Sequence, residues 1–143
     1  VKWIEALPPP CPTPTNYCVG APNSVGPGAM MSWQGTGNIS INNLEVIAVG
    51  CPVNTSGIFF FGNGQAQAPF GNGFRCVSGT VYRYAPTATD FLGDARQVVN
   101  LQGSAPTTFT AGQVWNFQFW YRNAAAGGAG FNLSDGLRVT ICP

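Results

Sequence analysis

The sequence predicts an all-β domain, a jelly-roll-like or immunoglobulin-like β-sandwich, preceded by an extended proline-rich N-terminal arm. Three observations lead to this fold class. Only 8% of the 143 residues are charged, against about 25% in a typical soluble domain, and no helical periodicity is visible. The 19 glycines and 12 prolines supply turn signals between short apolar segments. Within those segments apolar and polar residues alternate, as in half-buried strands.

The arm comprises residues 1–16 and the β-sandwich domain residues 17–143. VKWIEAL is a short, mostly apolar extended stretch, and PPPCPTPT follows it. Proline fixes φ and lacks a backbone donor, so this second stretch is expected to be a polyproline II spacer that cannot lie inside a sheet. The chain starts at Val1 without a signal-peptide pattern, which indicates a mature chain or an excised fragment.

Strands are expected wherever alternation is clear, and turns or loops elsewhere. The stretch TNYCVGAPNSVGPGAMMSW is expected to be a loop and QAQAPFGNG a long turn. The predicted strands are Asn38–Val49, Ile58–Phe61, Phe74–Tyr84, Ala95–Leu101, Gln113–Arg122 and Leu137–Cys142. Their number fits a sandwich, but the sequence does not determine their order.

The segment VWNFQFWYR is the most aromatic part of the chain. Its alternation places four large aromatic residues on one face, namely Trp115, Phe117, Phe119 and Tyr121. Such a face predicts a central core strand. Trp120 lies on the other, polar face, and is predicted to contact a ligand or partner together with Tyr82 and Tyr84.

Five cysteines and the absence of histidine and of CxxC favour disulfides in an oxidising compartment over a zinc site. Two intrachain bonds leave one thiol over. The favoured pairs are Cys51–Cys76, which closes a short loop, and Cys18–Cys142, which ties the start of the domain to its last strand. Cys11 is then the candidate for an interchain bond.

Catalysis is not expected, because without histidine neither a Ser-His-Asp nor a Cys-His arrangement can form. No cofactor is predicted. Calcium is the one metal considered, with Asp90, Asp94 and Asp135 as oxygen donors, although Asp90 and Asp94 are read first as turn residues. The arginines are scattered, which argues against nucleic acid. No apolar run reaches the roughly 20 residues of a membrane span. The sequons at Asn38, Asn54 and Asn132 are candidate glycosylation sites.

Three strings carry a resemblance to a known module: PFGNGFRC (69–76), WNFQFWYR (115–122) and FNLSDGL (131–137). Together with the segments between them, residues 17–143 resemble a β-rich module of predicted secreted proteins from planctomycete-like and related bacteria. The resemblance implies secretion and a β-rich fold. It implies no activity and no ligand.

The arm gives the sharpest functional expectation. Val1, Trp3, Ile4 and Leu7 would form the apolar part of a strand donated to the open sheet edge of a second copy. Such head-to-tail contacts build rings or filaments, so the chain is expected to be a non-enzymatic extracellular subunit of a filament or surface layer. Two alternatives stay open: the arm folds back on its own domain, or the chain is a carbohydrate- or surface-binding module that contacts cell-surface glycans.

Overall fold

The computed structural model describes residues 11–143, which form ten β-strands and one 3-10 turn. The all-β prediction is therefore confirmed for this range. The elements are β1 Thr15–Tyr17, β2 Met30–Gln34, β3 Glu45–Val49, β4 Ser56–Phe70, β5 Gly73–Arg83, β6 Thr87–Ala88, β7 Ala95–Val98, β8 Val114–Arg122, the 3-10 turn Ala124–Ala126, β9 Phe131–Leu133 and β10 Gly136–Thr140. The predicted arm residues Val1, Trp3, Ile4 and Leu7 lie outside the described range, so arm exchange stays a prediction.

The strands form two antiparallel sheets. The large sheet has the order β1-β10-β8-β4-β5, with β6 paired to β4 and β9 paired to β8, and the small sheet has the order β2-β3-β7. In β1, Thr15 lies opposite Arg138 of β10. The last residues of the predicted 1–16 arm therefore belong to the large sheet.

The two sheets share one hydrophobic core. The aromatic face of β8 is buried as predicted, and Phe59 and Phe61 of β4 pack beside it, with the ring centroids of Phe59 and Phe119 4.4 Å apart. Val46 and Ala48 of β3 contribute to the same core from the small sheet. Each such large side chain contributes about 1.5–3 kcal/mol when fully buried, so this face of β8 is a main source of stability.

Three segments differ from their sequence-based interpretation. β1 and β2 lie in the stretch expected to be a loop, and QAQAPFGNG belongs largely to the long β4–β5 hairpin. The segment from Asn38 to Asn43 is a turn before β3, since Asn38 Oδ1 accepts the backbone N–H of Ile41. A polar, glycine-rich segment is typical of a turn, and its composition does not reveal that its backbone groups pair with a neighbouring strand.

Both predicted disulfide pairs are wrong. Cys11 is bonded to Cys142 and Cys18 to Cys76, with Cα–Cα distances of 5.9 Å and 6.0 Å, and Cys51 is a buried free thiol. Because β1 pairs with β10, the flanking cysteine Cys11 reaches the C-terminal end of the chain. Cys11 is therefore not available for the predicted interchain bond.

Candidate functional site

The β4–β5 hairpin bends back over the outer face of the large sheet, the face opposite the core. Its two strands shift register between Gly62 and Gly64 and again between Gln65 and Ala68, and such bulges bend and twist a hairpin. Near its turn, the backbone N–H of Asn72 donates to the Phe131 carbonyl of β9 at 3.1 Å. The hairpin end therefore forms a second layer above β8 and β9.

Two buried amide side chains of β8 hold this layer in place. Gln118 is 0% exposed. Its Nε2 donates to the carbonyls of Phe74 at 2.8 Å and Ser134 at 2.7 Å, and its Oε1 accepts the Cys76 N–H at 2.8 Å. Asn116 Nδ2 donates to the Gly62 carbonyl at 3.2 Å. The hairpin thus buries Asn116 and Gln118 on the polar face of β8, although the alternation predicted a half-buried strand.

A disulfide and a tyrosine fix the hairpin from a second direction. Cys76, on β5, is bonded to Cys18, which directly follows β1. The Tyr17 hydroxyl donates to the Cys76 carbonyl at 2.7 Å. In the hairpin turn, Gly71 has a φ of 56°, and a Cβ there would collide with the ring of Phe131. The turn therefore requires glycine at this position, both for its backbone conformation and for its close approach to β9.

A groove of about 410 Å³ lies between the bent hairpin and the sheet. Its volume falls within the roughly 300–1,000 Å³ that ligand sites occupy. The lining combines apolar residues of β4, β5 and β8 with two arginines of β5. The lining residues are Ile58, Phe60, Phe70, Arg75, Val81, Arg83 and Trp120. Phe70 and Val81 remain 45% and 41% exposed. The groove is therefore an open apolar surface with two cationic side chains in its lining.

Aromatic contacts position one wall of the groove. The ring centroid of Trp120 lies 5.4 Å from that of Phe131, which in turn lies 5.3 Å from that of Phe70. The Arg122 guanidinium lies over the Trp120 ring, 5.3 Å from its centroid, within the range of a cation–π interaction. Trp120 and Phe70 are thus preorganised, since both rings pack on Phe131.

The groove is positively charged. Within residues 11–143 the only ion pair joins Arg96 to Glu45, at 3.2 Å, so Arg75, Arg83 and Arg122 have no carboxylate partner among the described side chains. Guanidinium groups that lie beside apolar surface bind carboxylates or phosphates strongly and often through two parallel hydrogen bonds. The arrangement therefore suits a ligand that combines an anionic group with an apolar group or a ring.

The structure separates the three aromatic residues predicted to contact a ligand. Trp120 lines the groove, as a contact role would require. Tyr82 and Tyr84 instead pack against the core, with ring centroids 5.5 Å and 5.4 Å from that of Phe61. The prediction that Trp120, Tyr82 and Tyr84 form one contact cluster is therefore wrong, because Tyr82 and Tyr84 point to the core. Phe60 and the other groove residues were not predicted as site residues, because their assembly depends on the pairing of β4 with β5 and β8 and on the bend that adds Phe70 and Arg75.

The three aspartates considered for calcium are not brought together. Asp90 Oδ1 accepts the backbone N–H groups of Leu92 and Asp94, and these hydrogen bonds lower the pKa of its carboxyl. Asp135 is buried elsewhere and accepts the Met31 N–H at 2.7 Å. Its burial raises the pKa of the carboxyl, although that hydrogen bond counteracts the rise. Among the described residues no group of three acidic or cysteine side chains could hold a metal ion.

The three sequons differ in accessibility. Asn54 is exposed and Asn38 is half-buried. Asn132 is fully buried, and its Nδ2 donates to the carbonyls of Ala21 and Pro22 at 3.2 Å and 3.0 Å. Asn132 therefore cannot accept a glycan in the folded chain, because the attached sugar would occupy the space of those contacts.

Comparison of the chain with protein-family models, curated proteins and solved structures finds no match. The resemblance to a planctomycete-like secreted module stays a prediction. In residues 11–143 no helix has the length and apolar character to cross a membrane.

Proposed function

We propose that this chain is a non-enzymatic, extracellular β-sandwich module, jelly-roll-like or immunoglobulin-like, that recognises a partner through the groove under the β4–β5 hairpin. The observation that carries this proposal is the combination of aromatic rings with arginines that have no carboxylate partner among residues 11–143. An anionic group on the ligand would bind Arg75 and Arg83, while an apolar group or sugar ring would pack on Phe60 and Trp120.

Binding is favoured over catalysis by the side chains at the groove. Within residues 11–143 no lining residue is a carboxylate, a cysteine, a serine or a histidine, so this part of the lining offers no general base and no nucleophile. The two disulfides are compatible with an oxidising, extracellular compartment. A secreted binding or structural module accounts for both features.

The test is binding to a panel of acidic oligosaccharides and short acidic, apolar peptides, measured by calorimetry on the full chain. Trp120→Ala removes a ring on which the ligand packs, and Arg83→Ala removes one charge that binds its anionic group. Each change should weaken binding at least about tenfold, the effect of losing one stacking or charged contact. Arg138→Ala is the matched control, since Arg138 is exposed on β10, away from the groove lining. Equal affinity for all four proteins would overturn the groove proposal.

Self-assembly through the N-terminal arm is the second candidate function. It is favoured by β5, which ends the order of the large sheet and, among the strands of residues 11–143, pairs with β4 alone. The Phe74 carbonyl and the Cys76 backbone groups are already bonded to Gln118 and Tyr17, so an added strand would pair with the rest of the outer edge of β5. Because Cys11 is bonded within the chain, backbone pairing alone would hold this contact. Electron micrographs should show filaments of the wild-type chain and none of a variant that lacks residues 1–7. Filaments that persist in the deletion variant would rule out assembly through the arm.

A further inference from the structure

The loop between β6 and β7 exposes the two most solvent-accessible large apolar side chains of the described chain. Phe91 is 79% exposed and Leu92 is 67% exposed. They stand between Asp90 and Asp94 in the segment TDFLGD, residues 89–94. An adjacent pair of large apolar residues at a loop tip is costly in water, and such surface commonly marks an interaction site.

This exposure does not come from a loosely held loop. The backbone N–H of Asp90 donates to the Asp94 carbonyl at 2.8 Å, and the Gly93 N–H donates to the Asp90 carbonyl at 3.1 Å. The loop after β3 stabilises this arrangement, since the Cys51 N–H donates to the Gly93 carbonyl at 3.1 Å. A loop fixed in this way loses little conformational entropy when a partner covers it.

The charges of the chain are sorted between this loop and the groove. Among the described Asp and Glu side chains, Glu45 is paired with Arg96 and Asp135 is buried. The remaining two, Asp90 and Asp94, both lie on the loop. Three of the five arginines, Arg75, Arg83 and Arg122, lie in or beside the groove. Arg96 also faces Asp90 within the same chain and contributes to the lowering of the Asp90 pKa. In a chain with 8% charged residues, such sorting yields two complementary patches.

We infer that the groove of one molecule receives the Phe91–Leu92 loop of a second copy of this chain. The apolar pair fills the groove against Phe60 and Trp120, and the acidic flanks face its arginines. This inference rests on the proposed function of the groove and names its partner. Each molecule carries one loop and one groove as two different patches, so the contact is heterologous and leads to a closed ring or an open chain of molecules.

Sedimentation velocity across a concentration series tests the inference with two classes of variant. The loop variant, Phe91→Ser with Leu92→Ser, and the groove variant, Arg75→Glu with Arg83→Glu, should each weaken self-association at least about 30-fold, as loss of an interface hot spot does. Val98→Ser and Arg138→Glu are the matched controls and should associate like wild type. An equimolar mixture of the two defective variants should form one-to-one pairs, because one intact loop and one intact groove remain.

A probe of the loop alone separates this inference from the proposed function. A cyclic peptide that carries TDFLGD should bind the wild-type chain and compete with self-association, whereas the same peptide with both apolar residues changed to serine should not. If wild type stays monomeric up to about 1 mM, the scale of weak binding, and the peptide does not bind, the second-copy inference is overturned. Binding of acidic oligosaccharides to the groove would then still support the groove proposal, and absence of both would overturn both.

Discussion

Replacement of Gln118 by leucine tests whether this side chain holds the hairpin over the sheet. The change leaves three backbone groups without their partner: the N–H of Cys76 and the carbonyls of Phe74 and Ser134. Each buried unsatisfied group costs about 1–3 kcal/mol. The free energy of unfolding should therefore fall by about 3–6 kcal/mol once partial relaxation toward water is allowed for, a large part of the roughly 5–15 kcal/mol of a typical domain.

Urea unfolding followed by tryptophan fluorescence measures this loss. Gln97→Leu on β7 is the matched control, because its amide donates only to the Val98 carbonyl in an exposed position, and it should change the free energy of unfolding by less than about 0.5 kcal/mol. A loss below about 1 kcal/mol for Gln118→Leu would show that contacts other than the Gln118 amide hold the hairpin over the sheet.

Three further predictions concern the disulfides, the buried carboxyl and the free thiol. Replacement of Cys18 and Cys76 by serine should lower the free energy of unfolding by about 4 kcal/mol in urea titrations, the chain-entropy value for a separation of 58 residues; peptide mapping that finds other pairs would contradict the structure. Burial raises the pKa of the Asp135 carboxyl above 3.8, so the folded state holds this proton to a higher pH than the unfolded state. Wild type should therefore lose stability relative to Asp135→Asn as the pH rises from 3.8 through the folded pKa, and an unchanged difference would contradict a desolvated carboxyl. Burial, helped by the nearby Asp94 charge, raises the pKa of the Cys51 thiol to about 12, so thiol reagents should label Cys51 only after unfolding, and rapid labelling of the folded chain would contradict its burial.

The core was predictable from sequence because it follows local alternation. Every second residue of VWNFQFWYR is a large aromatic, and a strand must place such residues on one face. The other face was not predictable from the same pattern. Asn116 and Gln118 appear solvent-exposed in sequence, yet both are buried because a segment more than 40 positions away bends over them.

The groove and the disulfides depend on long-range register. Phe60 lies near Trp120 through the pairing of β4 with β8, but Phe70 and Arg75 join them because two bulges bend the β4–β5 hairpin. Bulges leave little trace in a glycine-rich stretch. The cysteine pairs depend on β1 lying beside β10. The short loop between Cys51 and Cys76 favoured that pair, whereas the structure bonds Cys76 to Cys18 across 58 positions.

The most direct test of how the groove is used is a dilution series of the wild-type chain followed by NMR. We expect the side-chain N–H signals of Arg83 and Trp120 to shift with concentration in step with the backbone amides of Phe91 and Leu92, while the Arg138 signal stays fixed. Concentration-dependent shifts confined to other surfaces, or none up to about 1 mM, would contradict the claim that one molecule's loop occupies the groove of the next.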